Sequence, residues 1–237
     1  KKMKISATVL KEYFTCPLYF LYKNIYALKP VRLQADLLDD VFLGTLYHAV
    51  LHLFFESYKK NNTLLPSGSI SLDSSAGEIL QNSVREVISS FPESCFKYEA
   101  VSDLTVQVVK AQETSLYKRL SAFLTVFLHF FGGSSVVSSE EEFLLTKEKY
   151  VLKGFIDLIL KHKNDIWILD FKTSLTPSRQ ECLSFNGSAL SDFQLALYTK
   201  LYEENTNTSV YGAGFFSIHK TEFRPIFGEA FNTLTNR

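Results

Sequence analysis

Asp157, Asp170 and Lys172 stand where a buried sheet should carry hydrocarbon, and their spacing could support hydrolytic chemistry. Asp157 interrupts the apolar run 155–160, and Asp170 closes the run 166–169 with Lys172 two residues on, on the same face of a strand. Both runs are rich in β-branched and aromatic residues and flank a polar turn at 162–165, which predicts a β-hairpin over 154–172. A hairpin can bring the three charges together. Two carboxylates and an ammonium are costly on an apolar sheet unless something pairs with them, and a divalent cation held by oxygen ligands is a common reason to tolerate that cost. The plainer reading of Asp-x-Lys is a salt bridge at the end of a hairpin.

Other candidate groups sit on elements that could converge on the hairpin. Residues 41–58 have the 3.6-residue apolar spacing of a long helix, with Gly44, His48, His52 and Glu56 recurring every four residues as one stripe. His48 could face the hairpin as a metal ligand or sit in the core, satisfied by a backbone carbonyl. The pair His48/His52 lacks the glutamate of a zinc-protease helix, which argues against that chemistry. A helix over 192–203, capped by Ser191, places Gln194 and Tyr198 one turn apart. Ahead of the hairpin, residues 140–145 alternate as a strand that opens with three glutamates, one of which could reach a metal.

The remaining elements form a frame. Ser6 caps a first helix, and Pro17 opens a second over 18–24, with Cys16 at the joint expected to be a small buried hydrophobe. Residues 61–75 read as a surface loop, 76–90 and 108–131 as helices, 132–135 as a stop, and 210–219, with Gly212 and Gly214, as a last strand. The order predicts an α/β fold with a central mixed sheet flanked by helices, the block 73–131 forming a helical sub-domain beside it.

With 237 residues, 46% of them hydrophobic, the chain can bury a sizeable core as one domain. Lys plus Arg equal Asp plus Glu at 25 each, so any surface for a polyanion must be a local patch. Three widely spaced cysteines, Cys16, Cys95 and Cys182, suggest a reducing, cytoplasmic setting and no zinc knuckle. No signal peptide opens the chain, and the most apolar run, 116–131, is interrupted by Lys118, Arg119 and His129 and is too short for a membrane span.

In order, the chain offers G-x-x-x-H at 44–48, G-F-I-D at 154–157, D-F-K at 170–172 and Q-x-x-x-Y at 194–198. This series resembles the RecB-type branch of the PD-(D/E)XK nuclease superfamily, and the opening SATVLKEYFTCPLYFLY looks like the start of an AddB-like C-terminal nuclease domain. The resemblance implies a restriction-endonuclease-like fold and a Mg²⁺- or Mn²⁺-dependent deoxyribonuclease, of exonuclease type, acting in DNA recombination and repair. It implies that His48, Asp157, Asp170 and the carbonyl of Phe171 ligate the cation, that Lys172 orients the attacking water, and that Gln194 and Tyr198 position the scissile strand. DNA and a helicase-like domain or subunit are the partners it implies, and the chain is expected to be excised from a longer helicase-like protein.

Ile156 stands where the superfamily often has proline. Related domains with a [4Fe–4S] cluster match at Cys16 but add three cysteines after the last strand, and none follows Cys182 here, so no cluster is expected from this chain. The competing reading is a catalytically silent DNA-end-binding or scaffolding module of a helicase–nuclease complex. An enzyme acting on RNA or a small phosphodiester would share the same site.

Overall fold

The long strand β3 (Tyr150–His162) carries pairing partners on both edges. The computed structural model describes residues 2–28, 40–71, 73–95, 103–173, 175–183 and 192–228. Before β3 come β1 (Met3–Ile5), α1 (Ala7–Thr15), α2 (Pro17–Phe20), a π-helical turn (Leu21–Ile25), α3 (Asp40–Lys60), α4 (Ser75–Cys95), α5 (Asp103–Ala111), α6 (Glu113–Phe131) and β2 (Ser135–Thr146). After it come β4 (Asp165–Lys172), α7 (Arg179–Leu183), α8 (Gln194–Thr206), β5 (Gly212–Ser217) and β6 (Glu222–Phe227).

These strands make the mixed sheet expected from the sequence. β2 runs antiparallel along one edge of β3. On the other edge β4 pairs antiparallel from Leu158 to His162, and β1 pairs parallel at residues 150–152. Residues 153–157 of β3 pair with neither, so β3 and β4 part company just beyond Leu158↔Leu169. Asp157 and Asp170 are the first residues past that fork. β5 then adds parallel to β4, and β6 closes the sheet antiparallel to β5. The β3–β4 turn is set by Lys163 and Asn164, both at positive φ (51° and 78°), the two-residue geometry that matches strand twist.

Helices cover both faces. On one, α3, α4 and α6 share a core with Leu158, Leu160, Trp167, Leu169, Phe171 and Phe216. Helix α6 buries Leu116, Leu120, Phe123, Leu124, Phe127, Leu128 and Phe131, the three-and-four spacing of one apolar stripe. On the other face, α8 packs Leu195, Tyr198 and Tyr202 against Ile156, Ile159, Ile168 and Phe215. The alternation along β3 slips at the fork, because Ile156 joins the same side as Ile159 while Leu158 joins the opposite one.

Several expectations are corrected. The helix read over 108–131 is two helices, α5 and α6, joined at Gln112, whose N–H bonds the Val109 carbonyl at 3.0 Å. Val109 and Leu116 both reach the core, which is why the apolar period runs through the break. The loop read at 61–75 is a mostly exposed loop as expected, anchored where Leu65 exchanges backbone hydrogen bonds with Gly133 and Ser134 and where Leu65 and Ile70 are buried. β6 went unforeseen because Pro225 reads as a breaker, yet an edge strand tolerates it. Cys16 is exposed, not buried, with its Sγ accepting from the Tyr19 N–H at the start of α2. Ser191 lies outside the described residues, and the Asp192 carboxylate accepts from the Gln194 N–H at 3.0 Å in its place.

Gly154 sets how closely α8 approaches β3. A Cβ there would fall 2.6 Å from Leu201 Cδ1 and 3.0 Å from the Tyr198 ring. Gly154→Ala is therefore expected to lower stability by about 1–3 kcal/mol, as overpacking does, measured by urea unfolding. An unchanged midpoint would mean that α8 gives way freely.

Candidate active site at the strand fork

Where β3 and β4 diverge, side chains take over from backbone pairing. Asp157 Oδ2 accepts from the Phe171 N–H at 2.7 Å, bridging the strands just where the ladder ends. The Phe171 ring points into the aromatic core, stacked on Phe55 and edge-on to Phe123 and His48, and forms a dry wall beneath the site. Helix α3 brings in His48 Nδ1, 3.0 Å from Glu140 Oε1 and 3.6 Å from Asp157 Oδ2. His52, one turn further along α3, instead contacts Ser139 Oγ at 3.2 Å.

On the other side of the fork, α8 lays Gln194 across the catalytic candidates. Its Oε1 accepts from Lys172 Nζ at 2.6 Å, and its Nε2 lies 3.0 Å from Asp170 Oδ1 and 3.2 Å from the Tyr198 hydroxyl. Charge fixes this amide orientation, since only the oxygen can face an ammonium and only the NH₂ a carboxylate. Lys172 Nζ also lies 2.7 Å from Asp170 Oδ2 as an ion pair. That oxygen is buried, and the Lys172 ammonium is its close partner.

Burial and mutual repulsion leave the two aspartates short of compensation. Asp157 is held well above the ordinary carboxylate range, by burial first and by the charge of Asp170 second. Burial also raises Asp170, with Lys172 pulling the other way. The partners respond in kind. Burial opposes a charge on His48, but the bond to Glu140 and the charges of Asp157 and Asp170 push it up to about 9. Lys172 is likewise held above the ordinary lysine value by Asp170 despite its burial, so it is an ammonium at neutral pH.

The donor set fits a hard divalent cation. His48, Glu140 and Asp157 each offer a ligand atom within 4.8 Å of the others, and Asp170, outside that group and ion-paired with Lys172, adds a second buried carboxylate beside Asp157. Oxygen-rich sites with one imidazole suit Mg²⁺ or Mn²⁺ better than thiolate-seeking metals. A proton drawn onto His48 marks where the carboxylates need positive charge, and a cation binding there must displace it.

The fork thus gathers His48, Asp157, Asp170, Phe171, Lys172, Gln194 and Tyr198. Glu140 could not be singled out from its neighbours Glu141 and Glu142, because it lies at φ 51°, a left-handed conformation no strand period foretells. Asp192, just ahead of α8, is also buried, and its carboxylate accepts from the Gln194 N–H.

Over 132 residues, 51% of its length, the chain is 25% identical to the RecBCD enzyme subunit RecB of Chlamydia trachomatis serovar D, and the match covers 12% of that subunit. The sequence pattern of the PD-(D/E)XK nuclease superfamily matches residues 4–233. Together with the mixed sheet and the acidic fork, that match shows that the chain belongs to the PD-(D/E)XK nuclease superfamily.

Proposed function

We propose that the chain hydrolyses DNA phosphodiesters in a reaction that depends on Mg²⁺ or Mn²⁺ and is carried by Asp157, Asp170 and Lys172. The observation that carries this reading is Asp170, buried between Lys172 and Gln194 and set beside a second buried aspartate where the two strands part. His48, Glu140, Asp157, Asp170 and the Phe171 carbonyl would hold the cation. When bound, it would supply Lewis-acid chemistry, making water more acidic and offsetting charge on the phosphate.

The residues of the chain do the rest. Lys172 presents a fixed positive charge to the attacking water and to the phosphate oxygen on which negative charge grows. Gln194 holds that ammonium against Asp170, and Tyr198 holds Gln194. A phosphate contact from Gln194 or Tyr198 requires one of these bonds to exchange. The aromatic wall of Phe171, Phe55 and Phe123 keeps water from the rear of the site and strengthens each charge interaction in front of it.

An exonuclease role in recombination and repair, beside a helicase-like domain or subunit in the cytoplasm, is the setting we propose, and the likeness to RecB supports it. Among the described residues no helix is long and apolar enough to cross a membrane. The test is cleavage of labelled DNA by the purified chain, expected with Mg²⁺ or Mn²⁺ and absent in chelator. DNA bound but uncut in every metal would favour the silent scaffolding module.

Of the two α3 histidines, His48 is the proposed ligand. His48→Ala is expected to weaken Mn²⁺ binding by at least about tenfold in a calorimetric titration, with His52→Ala close to the parent. The reverse pattern would reassign the ligand.

A further inference from the structure

A cavity of about 410 Å³ opens beside the fork, walled by Lys172, Asp192, Phe193 and Gln194 on the catalytic side and by Thr8 and Lys11 of α1 on the other. It joins the candidate active site to an N-terminal helical arm that nothing in the catalytic account uses. Helix α1 is anchored by Ala7, which packs against Leu197 and Leu201 of α8, but α2 and the π-helical turn bury no side chain. Thr8, Lys11 and Phe14 recur every three residues and so follow one side of α1 outward from the cavity.

The chemistry along that side is specific. Asp192 accepts from the Gln194 N–H, while Lys11 forms no close ion pair among the described residues and feels the charge of Glu181 only at longer range. Phe14 stacks on Phe193 with ring centroids 5.2 Å apart and 21° between planes, and Tyr13 meets Phe14 edge-on at 5.4 Å. Phe14 is nevertheless 49% exposed and Tyr13 47%. The stack thus begins at the cavity wall and ends at a ring that is half open to solvent. With zero net charge, a local cation next to aromatic faces is also the form a nucleic-acid surface must take in this chain.

We infer that α1 forms a stacking platform for single-stranded DNA, with Lys11 on a backbone phosphate and Phe14, seated on Phe193, receiving an unpaired base next to the scissile position. The inference rests on the nuclease reading for its choice of DNA. From Thr8 to Phe14 the helix rises about 9 Å, room for two or three nucleotides at a duplex-like spacing of ~3.4 Å. A paired base cannot offer its face to Phe14, so the platform selects single strands. Further along the arm the exposed side chains are mixed, Leu18, Leu21, Ile25 and Leu28 with Tyr19, Tyr22 and Tyr26, and none of them lines the cavity or stacks on Phe193, so they stand outside the platform.

The experiment is fluorescence anisotropy of a labelled oligothymidylate with the full chain in Ca²⁺ and in chelator. Phe14→Ala is expected to weaken binding at least about fivefold, the loss of one base stack, and Phe14→Trp to restore it. Lys11→Ala is expected to flatten the salt dependence by about 0.7 in log–log slope, one phosphate on a single strand. Leu64→Ala, an exposed apolar change in the loop near Ser134, serves as the control and should bind as the parent does.

The platform is overturned if the parent does not bind the strand, if Phe14→Ala binds it as the parent does, or if Phe14→Ala weakens a duplex of equal length as much. Tighter binding of oligouridylate than of oligothymidylate by the parent would reassign it to RNA. A change in self-association on Phe14→Ala with DNA affinity intact would make the arm a protein-docking face. Binding is read without turnover, so a chain that never cleaves still tests the platform, and one that cleaves while Phe14→Ala binds normally overturns the platform alone.

Discussion

Asp170→Ala is expected to leave the chain folded and without measurable affinity for Mg²⁺ or Mn²⁺ in a calorimetric titration. Octahedral cations of this kind rely on few protein carboxylates, and an anionic substrate cannot replace a missing one before it binds. The same substitution strands Lys172, whose ammonium is held by Asp170 and by the neutral Gln194, so some loss of stability accompanies it. Asp157→Asn separates the two effects. An asparagine oxygen can still accept from the Phe171 N–H, while the charge that repels Asp170 is gone.

The sign of the Asp157 contribution follows from its raised value. A carboxyl held above its unfolded range favours the fold while protonated, below the unfolded value of about 3.9, and loses that contribution as pH rises through the folded value. At neutral pH, metal-free Asp157→Asn should therefore unfold at a temperature no lower than the parent, yet bind no cation. Lower stability together with retained cation binding would mean that Asp157 is structural.

Lys172→Ala behaves in the opposite way. An ammonium is no metal ligand, and its loss frees Asp170 for the cation, so affinity is retained or improved. The rate of DNA cleavage should nevertheless fall by on the order of a hundredfold or more, the usual size for losing a positioned charge-stabilising group. Lys172 touches Asp170 and Gln194 at once, so the loss measures the whole linked group. Single-turnover rates at saturating metal check this, and a Lys172→Ala rate within a few fold of the parent would remove the lysine from the mechanism.

Much of this site was legible because it violates sheet patterning. Asp157 and Asp170 are carboxylates in runs of isoleucine, leucine and phenylalanine, and the two-residue spacing to Lys172 fixed its face. The hairpin, helix α3 and the Gln194–Tyr198 step follow from periods of two and 3.6. Glu140 did not follow, because a backbone turn in the middle of β2 aims it and neither period encodes that turn. Cys16 was misjudged for a different reason: a lone thiol is usually a small buried hydrophobe, and the sequence of helices 7–15 and 17–20 does not show whether anything covers them. β1 and β6 are too short or too interrupted to carry a pattern, and only the register of β3 and β5 reveals them.

Single-turnover cleavage of DNA in Mg²⁺ by the parent chain and by Asp170→Ala, side by side and with a chelator control, tests the central claim most directly. Cleavage is expected from the parent, none in chelator, and none from Asp170→Ala at any Mg²⁺ concentration. Cleavage by Asp170→Ala at the parent's rate, or by the parent in chelator, would contradict it.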